Sequence, residues 1–311
     1  METHTSTVVL PLNVDVIFIS ATKVKGVGTL AEWILEKQEN GMKKDEISSR
    51  HAIIHSKEQK SGGFFMNRLY EKNGILFAII WIIVYVVGLS IADNLSIELG
   101  VEKSISLALC VVITLVAIGW IKRNGHMSKF GLCKPQVSSA KMLYYIPLVF
   151  LATMNIWYGF AMSMSVLESL LYVFSMLLVG FLEEIIFRGF LFVEMAKDNV
   201  KTAIIISSIT FGIGHIVNLF NGSGVDLFSN MLQVVYAIAA GFLFTIIFYK
   251  TKSLWPCIIT HSVLNASSAF ANESAASPAL EVGTAVALTV IALGYAIYII
   301  KRVETEKSCN Q

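Results

Sequence analysis

Long apolar runs alternate with short polar connections over most of the chain, beginning near residue 74. Eight of these runs have about the 20 residues that a helix needs to cross a bilayer, or come close to it. They cover residues 74–92, 104–121, 143–162, 166–187, 202–220, 231–249, 254–270 and 280–300. The pattern therefore predicts an all-α, polytopic membrane protein with about eight transmembrane helices.

The composition supports a membrane protein and divides the chain into three parts. It is 55% hydrophobic and 15% charged, whereas roughly 25% of residues are charged in soluble globular proteins. Residues 1–70 are predicted to be a polar N-terminal extension, 71–303 the membrane domain and 304–311 a cytoplasmic tail. The four cysteines have neither disulfide-framework nor metal-site spacing, so we expect free thiols.

Basic residues concentrate in alternate connections. Seventeen lysines and arginines fall in residues 57–73 just before the first run, in three alternate connections and in the tail, whereas the other four connections contain only Lys103. Because cytoplasmic loops carry an excess of Lys and Arg, both termini are predicted to be cytoplasmic. We therefore expect a multi-pass protein of the cytoplasmic membrane, with residues 93–102, 221–230 and 272–281 facing outward.

The fourth run carries three charged side chains, Glu183, Glu184 and Arg188. A charged residue at membrane depth costs roughly 2.5–3.5 kcal/mol on insertion scales, so such residues usually have a function. On a helix, Glu184 and Arg188 lie at positions i and i+4 and can pair. Glu183 points about a third of a turn away. We therefore predict that Glu183 is the reactive group and that Glu184 and Arg188 form a supporting pair.

Polar side chains in two further runs lie at a similar depth. With a rise of about 1.5 Å per residue, Glu183, His215 and Asn265 lie about 20 Å from the basic ends of their helices, and His261 about 13 Å. This agreement requires the fourth helix to continue past Gly189. We therefore expect the four polar side chains to meet in one pocket. Phe211, Asn155 and Gln233 are interpreted as packing residues, and Glu168 as an interfacial one.

These four side chains have the chemistry of peptide-bond hydrolysis. A carboxylate and an imidazole can hold a water molecule and take its proton. This predicts Glu183 as the general base and His215 as its partner on the water. A second imidazole and a carboxamide can donate hydrogen bonds to an oxyanion, which predicts His261 and Asn265 as the oxyanion hole.

No cofactor is expected for this mechanism, but a zinc site remains open as an alternative. Glu183, His215 and His261 would supply two histidines and one glutamate, a ligand set found in many catalytic zinc sites. No H-E-x-x-H sequence accompanies them.

Three motifs in these runs resemble those of the CPBP family of intramembrane proteases, also called the Abi or CAAX-protease family. They are E-E-x-x-x-R at Glu183–Arg188, F-x-x-x-H at Phe211–His215 and H-x-x-x-N at His261–Asn265. The resemblance covers about residues 74–300. It implies an eight-helix core and a glutamate-dependent mechanism like that of type II CAAX prenyl endopeptidases. In the eukaryotic branch, this activity removes the last three residues of a prenylated C-terminus.

The predicted function is therefore an intramembrane endopeptidase that acts on a membrane-associated peptide of CAAX-like, lipidated or bacteriocin type. The expected partners are this substrate and the lipid bilayer, with no nucleic acid. The alternative is a non-catalytic protein with the same fold, such as a bacteriocin self-immunity factor or a membrane scaffold. A transporter also fits buried ionisable groups, but the chain has no repeated halves.

Overall fold

The computed structural model describes residues 6–8, 19–21, 65–221, 224–275 and 277–303. The chain divides into two units, Met1–Phe65 and Met66–Gln311. In the first unit, strands β1 (Ser6–Val8) and β2 (Ile19–Ala21) pair in antiparallel fashion. The rest of the predicted polar extension and the predicted tail lie outside the described residues.

The second unit is built from helices, which confirms the all-α class. Residues 66–72 are helical, and eight helices follow in the order of the eight apolar runs. They are α1 (Gly74–Glu98), α2 (Ser104–Arg123), α3 (Ile146–Ala152), α4 (Val166–Met195), α5 (Val200–Gly214), α6 (Leu227–Thr251), α7 (Trp255–Ser267) and α8 (Pro278–Arg302).

Six helices are long and apolar enough to cross a membrane, so the protein is a multi-pass membrane protein. The predicted count of eight spans and the orientation of the termini are not confirmed. Helix α3 has only seven residues, because Leu143, Tyr144 and Tyr145 have left-handed backbone conformations just before it. Helix α7 has 13 residues and rises about 20 Å, less than the roughly 30 Å hydrocarbon core.

Side-chain caps explain where several of the helices begin. The side chains of Asn73, Asn199, Asp226 and Ser277 accept hydrogen bonds from the first backbone N–H groups of α1, α5, α6 and α8. Helix α4 begins with a capping box, in which Ser165 and Glu168 satisfy each other's backbone N–H groups. Polar residues flanking the apolar runs therefore set most of the helix starts.

Helix α4 lies at the centre of the unit and packs against α1, α2 and α7. It continues to Met195, which confirms that the helix runs past Gly189. From Glu184 to Phe192 it widens into a π-helix, and all nine of these residues are buried. Because π-helical turns are rare and often mark functional sites, the motif with the two glutamates lies in an unusual part of the helix.

The close contact between α4 and α7 depends on Gly180. A Cβ atom at this position would lie 2.6 Å from the backbone nitrogen of Ser262 and 2.7 Å from its Cα atom. Since Gly180 lies one turn before the two glutamates and Ser262 follows His261, this contact sets the distance between the carboxylates and that histidine.

Replacing Gly180 with alanine is expected to destabilise the protein by about 1–3 kcal/mol, because the added methyl group must push α7 away from α4. The measurement is the thermal unfolding midpoint of the protein in detergent. Gly119→Ala in α2 is the matched control, since a Cβ atom there meets nothing within 4 Å. Equal midpoints for the two variants would show that the α4–α7 contact is not tight.

A buried acidic group anchors the end of α4 beside the 66–72 helix. Glu194 accepts a hydrogen bond from Tyr70 and forms ion pairs with Lys129, at 3.4 Å, and with Lys197. Burial and the Glu194 carboxylate raise the pKa of the Tyr70 phenol well above its ordinary value. We call this end of the bundle, where α2, α4, α6 and α8 terminate, the basic end.

Candidate active site

Glu184 and Arg188 form the predicted pair inside the π-helical part of α4. The Arg188 Nη1 atom lies 2.9 Å from the Glu184 Oε1 atom, and both side chains are fully buried. The guanidinium also lies over the ring of Phe211, 4.0 Å from its centroid. A charge removed from water in this way requires compensation, which here comes from the opposite charge and from the aromatic face.

His261 lies between the two glutamates. Its Nδ1 atom is 2.9 Å from Glu184 Oε1, and its Nε2 atom is 3.2 Å from Glu183 Oε2. The Nδ1 contact is a hydrogen bond, so Nδ1–H donates to Glu184 and the tautomer of the ring is defined. The Nε2 atom therefore faces Glu183, and the side chain that directly contacts Glu183 on α7 is the second histidine of the motifs.

Glu183 has one satisfied and one unsatisfied oxygen. Its Oε1 atom accepts a hydrogen bond of 2.9 Å from the hydroxyl group of Tyr85 on α1. Its Oε2 atom is buried and has no hydrogen-bond partner among the described residues. A buried carboxylate oxygen without a donor is costly, and a catalytic role is one of the explanations for such a group. Tyr85 therefore orients the carboxylate, and Oε2 remains available.

His215 lies where α5 gives way to a short 3₁₀ turn, His215–Leu219. Its Nδ1 atom is 3.1 Å from the carbonyl oxygen of Phe211, which leaves Nε2 as the acceptor of a neutral ring. The backbone oxygen of His215 accepts a hydrogen bond of 2.9 Å from the buried side chain of Asn230. These contacts hold the imidazole at the end of its helix.

The ring of Phe211 separates and supports the two histidines. Its centroid lies 5.1 Å from that of His215 and 5.5 Å from that of His261, and both contacts are edge-to-face. Phe211 is itself buried. The first residue of the F-x-x-x-H motif therefore packs against Arg188 and both histidines, consistent with the predicted packing role.

Asn265 follows His261 by one turn of α7 and lines the same pocket. Its carboxamide makes no hydrogen bond with another described residue. Asn155 donates to the backbone oxygen of Leu264, at 2.6 Å, and to the hydroxyl oxygen of Ser267, at 3.1 Å. The segment predicted to be the third span therefore supports the end of α7, and Asn155 has a more specific role than general packing.

The four predicted site residues, Glu183, His215, His261 and Asn265, line one pocket of 340 Å³. The pocket runs along α1, α4, α5, α6 and α7 toward the end of the bundle opposite the basic end. We call this the far end. Polar residues that the sequence did not predict also line the pocket, among them Tyr85, Asp93, Lys103, Tyr172 and Asn218. Gln233, interpreted as a packing residue, lines it as well.

Two signals in the sequence pointed to the residues that were missed. Tyr85 is a phenol within a largely aliphatic run, and Lys103 is the only basic residue in the connections predicted to face outward. Neither signal identifies a partner, because Tyr85 and Glu183 are 98 positions apart in the chain.

The alternative zinc ligands do not form a metal-binding group. Within the described part of the chain, no three His, Cys, Asp or Glu side chains are arranged so that they could hold a metal ion. Glu183, His215 and His261 are not such a group, and we derive no step through zinc.

The fold and this site define a class of protein: a multi-pass membrane protein with a carboxylate–imidazole centre buried among its helices. Residues 165–267, about a third of the chain, match the family model described as type II CAAX prenyl endopeptidase Rce1-like. This match includes all three motifs and confirms the resemblance to the CAAX-protease family. No match was found among curated proteins.

Proposed function

We propose that the protein is an intramembrane endopeptidase of the cytoplasmic membrane that hydrolyses a membrane-associated peptide. One observation carries the proposal. Within the described part of the chain, the buried Oε2 atom of Glu183 has no hydrogen-bond donor, and it faces His261 in a pocket that His215 and Asn265 also line. The family match supports peptidase activity on a membrane-associated substrate.

The proposed nucleophile is a water molecule held between Glu183 and His215. The Oε2 atom of Glu183 accepts one proton of the water. The Nε2 atom of His215, left as an acceptor by the Nδ1 contact with Phe211, orients the other. Tyr85 keeps the carboxylate in one orientation through its 2.9 Å hydrogen bond. A general base held in this way contributes about 10²–10⁴-fold to the rate.

His261 and Asn265 are proposed to stabilise the oxyanion. Because Nδ1–H of His261 donates to Glu184, Nε2 is the ring atom that faces the oxyanion. Preorganised donors in a site that excludes water give a large share of the stabilisation of a transition state.

The bonds and protons balance within this set of residues. The water oxygen forms a bond to the scissile carbonyl carbon, and its proton moves to Glu183. The carbon–nitrogen bond then breaks, and Glu183 returns the proton to the leaving amine. The products are a carboxylic acid and a free amine, and the site regains its starting protonation state.

A second, apolar groove supports a lipidated or membrane-embedded substrate. It has a volume of 410 Å³, lies between α1 and α5, and is lined by residues such as Ile82, Ile83 and Ile213. It shares Phe187 and Gly214 with the site pocket. A hydrocarbon chain or apolar side chain in this groove would place the attached peptide bond beside Glu183.

The proposal is tested by comparing protein termini in membranes of native-host cells that contain or lack the protein. We expect new C-termini in the membrane fraction that appear only when the protein is present and that disappear with Glu183→Gln at matched expression. Identical profiles, together with a host phenotype that survives the substitution, would instead favour the self-immunity or scaffold alternative.

The same substrate, once identified, tests the zinc alternative. Because the described residues do not form a metal-binding group, we expect hydrolysis by the purified protein to persist in 1,10-phenanthroline. Loss of activity that zinc restores would contradict this expectation and favour Glu183, His215 and His261 as ligands.

A further inference from the structure

We propose that Lys103 binds a substrate carboxylate at the far end of the pocket and thereby measures the distance from that carboxylate to the scissile bond. This inference rests on the proposed peptidase function. It adds a residue that determines which peptides the site accepts, outside the three motifs.

Lys103 is held in place by a buried carboxylate. Its Nζ atom lies 2.9 Å from the Oδ1 atom of Asp93, and the same oxygen accepts a hydrogen bond of 2.5 Å from the hydroxyl group of Ser106. The side chains of Lys103 and Asp93 are only 15% and 9% exposed. A flexible lysine is therefore kept in one position before any ligand arrives, which lowers the entropic cost of binding.

The ammonium group retains capacity for a ligand. Asp93 uses one of its three N–H donors, and no other hydrogen bond involves Nζ within the described part of the chain. Lys103 and Asp93 both line the site pocket, as does Tyr172, whose ring centroid is 5.6 Å from Nζ. Lys103 is the only lysine or arginine among the described residues that line this pocket.

The backbone of Lys103 also departs from the usual conformation. It precedes α2 with a φ of 60°, in the left-handed region. This conformation is unfavourable for residues with a side chain and is usually occupied by glycine or asparagine. Strained residues of this kind cluster at ligand sites. A lysine at this position therefore fits a role that glycine cannot supply.

Helix α1 gives the distance between the two ends of the pocket. Tyr85 contacts Glu183, and Asp93 contacts Lys103. These two α1 residues are eight positions apart, which corresponds to about 12 Å along the helix. An extended segment of three residues spans about 10 Å, and a hydrogen bond of about 3 Å completes the distance. A carboxylate three residues beyond the scissile bond would therefore reach Lys103.

The charges along the pocket favour binding with the substrate carboxylate at the far end. The end beside Glu183 carries a carboxylate that repels a second one, whereas at the far end the Asp93 carboxylate is paired with Lys103, the only permanent cation among the described residues of the lining. The carboxylate has two possible sources, the C-terminus of the peptide or an acidic side chain at the third position. Both present the same group to Lys103, and the experiment below separates them.

The test is a binding measurement with the full chain carrying Glu183→Gln, reconstituted in nanodiscs. The probes are three fluorescent peptides, each with a farnesylated cysteine followed by three residues. The first ends in a free carboxylic acid and the second in an amide. The third also ends in an amide but has glutamate as the third residue after the cysteine. We expect the free acid to bind 10- to 100-fold more tightly than the plain amide, as a charged hydrogen bond of about 1.5–3 kcal/mol implies. If an acidic side chain is the source, the glutamate peptide should bind as tightly.

Lys103→Met should remove this difference, and Lys103→Arg should retain most of it. The single substitution Lys103→Met leaves the Asp93 carboxylate buried without its cation. The double variant Asp93→Asn/Lys103→Met avoids this, because both of its side chains are uncharged. Lys201→Met is the matched control, since Lys201 is an exposed lysine at the start of α5. It should leave the difference unchanged.

Three results would overturn the proposal: equal affinity for the free acid and both amides, the same preference in the double variant, or no binding of any of the peptides. If the proposed peptidase function is wrong, a different result is expected. In that case the free acid would still bind preferentially through Lys103, but the protein with an intact Glu183 would not cut it.

Discussion

Replacing Glu183 with glutamine is expected to lower kcat for peptide hydrolysis by about 10²–10⁴-fold, with a smaller change in KM. Glutamine keeps the size of the side chain and can still accept the hydrogen bond from Tyr85. It cannot take a proton from water. The loss should therefore fall on the chemical step and not on substrate binding, and steady-state kinetics with the purified protein in nanodiscs measures both.

Glu168→Gln is the matched control for this prediction, because it is the same chemical change on the same helix. Glu168 belongs to the capping box that begins α4, and glutamine also suits this position. We expect wild-type kinetics for this variant. A Glu183→Gln protein that hydrolyses peptide within about threefold of the wild-type rate would contradict general-base catalysis by Glu183, since that role implies at least about 10².

Replacing Arg188 with methionine is expected to cost about 3–5 kcal/mol of stability, because it leaves the Glu184 carboxylate buried without its cation. The side chain also loses its contact with the face of Phe211. The measurement is the unfolding midpoint in detergent, compared with that of the wild-type protein.

The double variant Glu184→Met/Arg188→Met separates stability from function. Replacing a buried ion pair by apolar side chains of similar volume is often neutral or stabilising, so we expect this protein to recover most of the lost stability. Its hydrolysis should remain low, because His261 loses the carboxylate that binds Nδ1–H. Wild-type activity in the double variant would show that Glu184 does not position His261.

These two predictions use different parts of one hydrogen-bonded chain. Arg188 pairs with Glu184, Glu184 binds Nδ1 of His261, and Nε2 of His261 faces Glu183. The E-E-x-x-x-R motif therefore supplies both the group proposed to react and the pair that orients its neighbour. The two adjacent glutamates therefore have different surroundings.

The sequence by itself determined the fold class, the continuation of α4 past Gly189 and four of the side chains that share the pocket. Each of these follows from properties of single helices. Apolar length identifies the runs, and a constant rise per residue gives the depth of a side chain. Depth was therefore enough to predict that Glu183, His215, His261 and Asn265 lie at one level.

Only the tertiary structure decided which side chains touch. It placed His261 against both glutamates, brought Tyr85 onto Glu183, and shortened the predicted third and seventh spans to α3 and α7. Contacts between helices depend on rotation and crossing, which are set by close packing such as that of Gly180 against Ser262. The π-helical turns after Glu184 also change the rotation of later side chains. The ordinary helical period therefore predicts the depth of this site but not its contacts.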